Sequence, residues 1–537
     1  MNTSFRRRIV PFAAVVAGAA LLLTGCAGGA GEPASGAPSS TPQAGGNLTF
    51  AISVDSHCID PQQVGNNDAI AIARQTVASL TIQDPQTGEI KPWVAKSFQA
   101  NADATSFTFV LNQGLTYADN TPIDAASVKT NFDAIVALGA KATLGSTYLA
   151  GLSDVEVVDP GTVKVDFAKP SAQFLQATST FSLGLLSPSS AALSVADRCA
   201  GKYVGSGPFS VQSYTPDQQA VLAKRAGYTW GPSTSGHSGE AYLDTITFSV
   251  IPESGNRTGS LQSAQIDATT GIANTDLPLF DGNGFSEINR ANPGVVYNLY
   301  PNESTPKLAD ATVRQAVSKA INRDEITSTL LTSNDVNAAS PLSSTTPYFA
   351  DLSSNLAFDL AGAQKLLEGD GWVVGSDGIR EKDGQKLSFL VTYWQSPKEI
   401  LELVQQQLKK AGIDLQLKFA SIADVTAANA AGTADFTYGN LTRSDPDVLR
   451  TVFSVKGQNV NHRPAGPVDD ILDAQAATTG TDARQKLVTQ AATQLIAEAH
   501  SIPIYQLSTT IAASDKVHDV KFEASSRLDF YDAWVTK

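Results

Sequence analysis

Polar and apolar positions alternate along this chain with two different periods. Phe107, Phe109 and Leu111 recur at every second residue, as do Val163, Val165 and Phe167, and later Leu415, Leu417 and Phe419. A period of two is that of a half-buried strand, whose side chains point alternately to opposite faces. Elsewhere the apolar residues return after three and four positions. Val128, Phe132, Ile135 and Val136 share one helical face, with Asp124 placed as the N-cap. Val313, Ala316, Val317, Ala320 and Ile321 repeat this behind Asp310. Ile400, Val404, Leu408 and Ala411 do so ahead of Gly412, a helix stop, and Leu487, Ala491 and Leu495 form a fourth stripe. No internal repeat with a solenoid period is present. Strand and helix signals alternate without strict order, which predicts a mixed α/β fold and not one wound sheet.

The pattern starts late. Arg6, Arg7 and Arg8 precede an apolar run from Ile9 to Leu23 that is broken only by Pro11 and Gly18. The run is short for a membrane span and carries the charge layout of a secretory signal. It ends in Leu23-Thr24-Gly25-Cys26, which resembles the bacterial lipobox, in which the Cys becomes the lipidated first residue. Residues 1–26 therefore read as a lipoprotein signal peptide, with Cys26 as the lipid acceptor. The arginine run is a loose match to twin-arginine signals, and Sec export is the expected route. Residues 27–46 are almost all Gly, Ala, Pro, Ser, Thr and Gln and read as a flexible tether. The core pattern opens at Leu48, and no later segment is long and apolar enough to span a bilayer.

Length and charge narrow the classes further. A body of this size predicts roughly three domains at ~150 residues each. The chain has 38 Lys and Arg against 52 Asp and Glu, and without the three signal arginines the balance is 35 to 52. A nucleic-acid partner would need a basic face and is not expected. The single Met, at position 1, excludes a Met-rich surface. With Cys26 assigned to the anchor, Cys58 and Cys199 remain. An even pair in an exported protein predicts one disulfide, the alternative being two buried thiols.

Catalytic signatures are missing. The sequence holds no G-x-S-x-G elbow, no H-E-x-x-H and no phosphate loop. Gly205-Ser206-Gly207-Pro208 is followed by the strand-like Phe209-Ser210-Val211 and reads as a tight turn, since a phosphate loop opens a helix. The five histidines have no metal-ligand spacing, and His57 and Cys58, adjacent on an extended segment, point to opposite faces. Carboxylate pairs such as Asp469-Asp470 and Asp445/Asp447 read as solvated surface or turn residues in so acidic a chain. No metal site and no cofactor are expected.

A series of short blocks then resembles one family. Gly45-Gly46-Asn47-Leu48-Thr49-Phe50-Ala51 followed by Ile59-Asp60-Pro61 is similar to the opening strand and turn of the family 5 solute-binding proteins, which serve ABC importers of oligopeptides, dipeptides, nickel and related solutes. The likeness continues in order through Lys91 to Phe98, Phe107 to Val128, Val204-Gly205-Ser206-Gly207-Pro208-Phe209, Leu243 to Ile246, Leu261 to Asp267, Val313-Arg314-Gln315-Ala316 to Arg323, Ala363 to Leu367, Gly371-Trp372 and Asp445-Pro446. Each block is weak alone; their common order over residues 45–505 is specific.

The resemblance implies an α/β, two-lobed periplasmic-binding-protein-like fold of class II with an additional domain. Lobe I would comprise 47–79 with 203–300 and 503–537, the additional domain 80–202, and lobe III 301–502, with the chain crossing between lobes near 80, 200, 300 and 500. It implies a monomer that binds a small ligand, an oligopeptide or dipeptide by default, between lobes that close on it, and delivers it to an ABC permease at the outer face of the cell membrane. A sugar, opine-like or chelated-metal ligand is the alternative within the family. A tethered hydrolase, or a lipoprotein of sensing or adhesion, is the alternative outside it. Peptide-binding members often carry an Asp three residues before the Asp-Pro, where it pairs with the peptide ammonium; here that position is Thr442, followed by Arg443, so ammonium capture there is not expected. Arg443 either favours an anionic or polyhydroxylated ligand or pairs with Asp445. Asn66, Asn67 and Asp68 read as a polar loop facing the cleft or as a solvent turn, and Trp394 and Tyr438 as stacking platforms or core residues; with Thr442, Arg443 and Asp445 they make up the expected ligand-binding set.

Overall fold

The computed structural model describes residues 41–282, 284–394 and 398–537. The expected signal segment and Cys26 lie outside the described residues. Gln43–Lys537 form one compact unit. Its order begins slightly before the expected end of the tether, because the Gly45 N–H bonds to the Tyr242 carbonyl at 2.7 Å and the Gly46 N–H to the Asp244 carboxylate at 3.2 Å.

Three sheets organise the unit. The largest has seven strands, in the order Phe285–Ala291, Ser508–Ser514, Ala268–Thr270, Asn47–Ile52, Thr245–Val250, Gln219–Lys224 and Phe209–Thr215. Asn47–Ile52 runs parallel to both of its neighbours. The second has six, in the order Val336–Asn337, Ile502–Gln506, Gly294–Pro301, Phe436–Thr442, Ser388–Tyr393 and Asp414–Phe419. The third has four antiparallel strands, Ala95–Ala100, Ser106–Leu111, Thr162–Phe167 and Leu152–Asp159. The alternating segments expected at 107–111 and 163–167 are central strands of this third sheet, and Phe107, Phe109, Leu111, Val163, Val165 and Phe167 are buried.

The predicted helices form with their predicted caps. Asp124 accepts from the Ser127 N–H in a reciprocal capping box and starts Ala125–Leu138. Asp310 accepts from the Thr312 N–H and starts Ala311–Ala320. Glu399–Lys410 ends before Gly412, whose φ of +84° suits glycine. Two residues depart from the pattern. Val136 is 50% exposed, because the buried face of its helix centres on Val128, Asn131, Phe132 and Ile135 and Val136 lies on its flank. Phe419 is 67% exposed, because it ends the edge strand of the six-stranded sheet.

The core is divided unevenly. One apolar cluster runs without a break from Phe50 and Phe248 in the seven-stranded sheet to Phe107, Phe109 and Phe174 around the four-stranded sheet. The six-stranded sheet packs a separate cluster, which includes Leu299, Val391 and Val404. The chain passes between the two large sheets at two places only a few residues long. Phe285–Ala291 gives way to Gly294–Pro301 through Asn292 and Pro293, and Ile502–Gln506 gives way to Ser508–Ser514 through Leu507. Strand Gly294–Pro301 and all of Ile502–Gln506 thus pair in the six-stranded sheet, so the changes of sheet fall at 292–293 and 507. Gly294 has a φ of +107°, and a Cβ there would lie 2.2 Å from the Leu441 carbonyl oxygen, so this crossing admits only glycine.

Several sequence blocks act as scaffold. Asp60 of Ile59-Asp60-Pro61 is fully buried and forms an ion pair with Arg198 at 2.8 Å. Gly205 and Gly207 lie against the Thr76-Val77 backbone, where a Cβ on either would clash, and the Ser206 hydroxyl accepts from the Ala78 N–H at 2.8 Å. The segment expected as a tight turn is therefore a bend whose glycines serve close backbone approach. Arg314 donates to the carbonyls of Leu308, Ala309 and Glu498, and Arg323 to those of Pro503 and Leu356. Cys58 and Cys199, 141 residues apart, form the expected disulfide.

Candidate functional site

Two cavities lie between the halves of the molecule. The first, of about 480 Å³, straddles both crossings and is lined by Asn292 and Leu507 themselves. Its walls are polar and apolar in nearly equal measure, with hydroxyls and amides such as Thr270, Asn274, Thr332, Ser508 and Thr510 beside Ile272, Leu277, Leu331 and Leu528. Tyr297 and Tyr505 close one side. Their rings stack at 4.6 Å, and Tyr438 stacks behind Tyr297 at 5.1 Å. These tyrosines sit on three neighbouring strands of the six-stranded sheet, where Tyr297 is opposite Tyr505 and Tyr438 is opposite Leu299. Burial pushes the Tyr297 phenol up to about 12 and holds those of Tyr438 and Tyr505 well above their usual range, so all three stay neutral.

The opposite wall comes from the seven-stranded half. Asn66 caps the short helix Asn67–Ala73 by accepting from the Ala69 N–H at 3.0 Å. Asp68 is also engaged, because one carboxylate oxygen accepts from the Ser53 N–H, the Ser53 hydroxyl and the Val54 N–H at 2.6–2.9 Å. Its role is to hold the end of the first strand. Asn67 accepts through Oδ1 from the guanidinium of Arg527, which also lines the cavity. Asp335, on the far wall, accepts from Thr332 and from the Ser508 hydroxyl.

The second cavity, of about 530 Å³, lies where segments around Gln83, Glu89 and Gln176 meet Tyr348, Asp445 and Arg484 of the other half. The halves touch here. The Ala172 N–H bonds to the Ala476 carbonyl at 2.9 Å, and the Gln83 side chain donates to the Ser444 carbonyl at 3.4 Å. Asp445 makes a two-pronged ion pair with Arg484 at 2.6 and 2.9 Å, with both side chains buried.

The expected site residues are thereby separated. Asn66, Asn67 and Asp68 line the first cavity, Asp445 lines the second, and Tyr438 is buried behind the tyrosine pair. Thr442 and Arg443 end the strand beside the first crossing, where Thr442 faces Gly294 in register and the Arg443 N–H bonds to the Pro293 carbonyl at 3.1 Å. The Arg443 guanidinium donates to the Thr442 carbonyl at 2.8 Å and does not pair with Asp445. Trp394 is 40% exposed at the end of its strand and lines neither cavity. Sequence reasoning missed Tyr297, Tyr505 and Arg527. The two tyrosines lie in apolar strands 208 residues apart and meet only through sheet pairing, and Arg527 belongs to a C-terminal stretch without a pattern.

Outside the cavities, ligand atoms of Asp55, His57 and Asp217 lie within 4.8 Å of one another at the surface. Asp55 there already accepts from the Tyr214 hydroxyl and from the Asp217 and His57 N–H groups. Cys58, the neighbour of His57, is in the disulfide and offers no thiolate.

Comparison with known proteins adds to this geometry. The family model for bacterial extracellular solute-binding proteins, family 5 Middle, matches residues 89–460. The glutathione-binding protein GsiB of Escherichia coli strain K12 is 24% identical over 526 residues, spanning 91% of this chain and 94% of GsiB. Among solved structures, NikA from Brucella suis in complex with Fe(III)-EDTA superposes with a TM-score of 0.79 at 24% identity, covering 91% of this chain and all of NikA. The oligopeptide-binding protein AppA from Bacillus subtilis, in complex with a nonapeptide, gives 0.71 at 19%, covering 93% of this chain and all of AppA.

Proposed function

Since the chain belongs to the bacterial extracellular solute-binding proteins of family 5, we propose that it is the solute-capturing component of an ABC importer and that the cavity at the two crossings holds the solute. One observation carries this reading: the cavity is bounded by both large sheets and by the connections between them. A solute bound there contacts both halves at once, so binding favours the closed arrangement and presents a changed surface to the permease. The seven-stranded sheet would then be lobe I, the four-stranded region the additional domain, and the six-stranded sheet lobe III.

A volume of about 480 Å³ suits a short peptide or a solute of like size. The abundance of hydroxyls and the flat Tyr297–Tyr505 pair favour a second reading, an opine-like or sugar ligand. Cys26 would anchor the protein to the outer face of the membrane, with the protein working as a monomer and carrying out no catalysis. The test is native mass spectrometry of what co-purifies with the protein, followed by melting with the identified compound. At a hundredfold excess over Kd, stability should rise by about 2.7 kcal/mol. Replacement of Tyr505 by Ala should abolish that rise; an undiminished rise would move the site elsewhere.

A further inference from the structure

We infer that the second cavity is a binding site of its own, for a small organic amine, and that the side-chain oxygen of Gln176 is the atom that receives the ammonium group. The inference goes beyond the solute-binding reading above, which concerns the first cavity alone.

Both halves build this cavity. The turn that follows strand Thr81–Gln83 reaches across to the other half, where a Cβ on Gly88 would lie 2.7 Å from the Pro347 side chain. With the bonds from Ala172 to Ala476 and from Gln83 to Ser444, this approach frames a space of about 530 Å³, within the range of small-molecule sites.

Two amides set its polarity. The Gln83 Nε2 donates to the carbonyls of Gly88 at 3.2 Å and Ser444 at 3.4 Å, which fixes that amide and leaves its Oε1 as an acceptor. This oxygen accepts from the Gln176 Nε2 at 3.2 Å. The Gln176 amide is thereby oriented as well, since a half-turn would set its oxygen against that of Gln83. Its own Oε1 is left over. Among the described residues it has no hydrogen-bond partner, although Gln176 is only 4% exposed and lines the cavity. A buried acceptor without a donor is costly, and a ligand that brings an N–H recovers the loss.

Charge narrows the class. Arg484 is the one cation among the residues that line the cavity, and it is taken up by Asp445 and the Gln475 side-chain oxygen. Glu89 also lines the cavity, at an exposed position. Its ion pair with Lys91 is long at 3.9 Å, because Lys91 sits on Asp84 at 2.6 Å. A weakly paired carboxylate and a buried acceptor together favour a ligand with positive charge and N–H donors. Ile90, Leu175 and Pro347 offer apolar surface for a short alkyl stem.

The probes are butylammonium, its neutral counterpart 1-butanol, and trimethylbutylammonium, which keeps the charge but has no N–H. Each is titrated against the full chain at neutral pH, with binding followed by saturation-transfer NMR of the probe. Butylammonium should bind, and the other two should bind about tenfold more weakly or less. Gln176→Leu should weaken butylammonium by about tenfold or more, and Glu89→Gln by about two- to fourfold. Tyr505→Ala, in the first cavity, should leave the amine affinity unchanged. The site is refuted if butylammonium does not bind, if either analogue matches it, or if Gln176→Leu binds it as the parent does. Should Gln176→Leu fail to fold, Glu89→Gln decides together with the probe series, and unchanged binding there refutes the site. Loss of binding in Tyr505→Ala with retention in Gln176→Leu would put the amine in the first cavity and refute the site too.

Discussion

In the cavity beside Gln176, a guanidinium and a carboxylate face each other, Arg484 against Asp445, and pair through two hydrogen bonds. In the cavity beside Tyr505, a guanidinium faces an amide, Arg527 against Asn67. The two spaces are similar in size, and both separate the same two halves. The difference lies in where the countercharge comes from. In the second cavity the protein supplies it, and the ion pair joins structure to structure. In the first, among the described residues, no carboxylate forms an ion pair with Arg527, which bonds an amide instead. A charged residue in a cleft is thus informative about ligands only once its partners are known.

Breaking the internal pair should have the largest effect. Asp445→Asn leaves Arg484 buried without its counter-ion and should cost about 3–5 kcal/mol in urea unfolding, while the charge preference of the cleft stays unchanged. A stable Asp445→Asn protein with altered solute preference would erase the distinction between the cavities. Removal of the Cys58–Cys199 disulfide should cost ~2–5 kcal/mol, given the long loop it closes. The loss should fall on the half that contains the seven- and four-stranded sheets, and hydrogen exchange in the six-stranded sheet should rise less.

The third prediction concerns a buried pair close to the first cavity. Burial raises the Glu523 carboxyl to about 7, with Arg74 opposing the shift. A carboxyl that holds its proton more tightly folded than unfolded makes stability fall as pH rises from about 4.5 to about 7. Glu523→Gln should flatten that slope in melting curves taken across this range; an unchanged slope would assign it to other groups. The smallest effect belongs to Arg527. Arg527→Gln should alter stability by no more than about 1 kcal/mol, because no ion pair is lost, yet weaken an anionic solute by about tenfold or more in calorimetry, or roughly 1.4 kcal/mol. A stability loss as large as that of Asp445→Asn would make Arg527 structural after all.

This contrast also explains what could be read from the sequence. The blocks that identify the family are those that build it. Asp60 serves Arg198, Gly205 and Gly207 admit a neighbouring backbone, and Arg314 and Arg323 collect free carbonyls. Such roles demand fixed residue types at fixed spacing, so they leave a mark in one chain read alone. The helix caps at Asp124 and Asp310 were legible for the same reason. The cavity walls leave no such mark. Asn67 was singled out by its polar run, but its partner Arg527 is 460 residues away, and Tyr297 and Tyr505 look like ordinary strand residues until the sheet aligns them. Asp445 pairs with Arg484, 39 residues on, and nothing local in the sequence signals that pairing. Contacts set by distant pairing are invisible to local pattern.

The order of strands in the seven-stranded sheet has a consequence for how the protein is made. Ser508–Ser514, among the last strands to be synthesised, lies between Phe285–Ala291 and Ala268–Thr270 and is the strand through which Phe285–Ala291 joins the sheet. A growing chain therefore cannot complete this half until nearly its whole length has emerged, since the missing strand belongs inside the sheet and not at its edge. Completion of this half is timed by the far end of the chain, although Asn47–Ile52 can pair earlier with Thr245–Val250 and Ala268–Thr270. A chain cut short before residue 508 would lack the wedge that joins its own edge strand, and quality control would meet it as an open sheet.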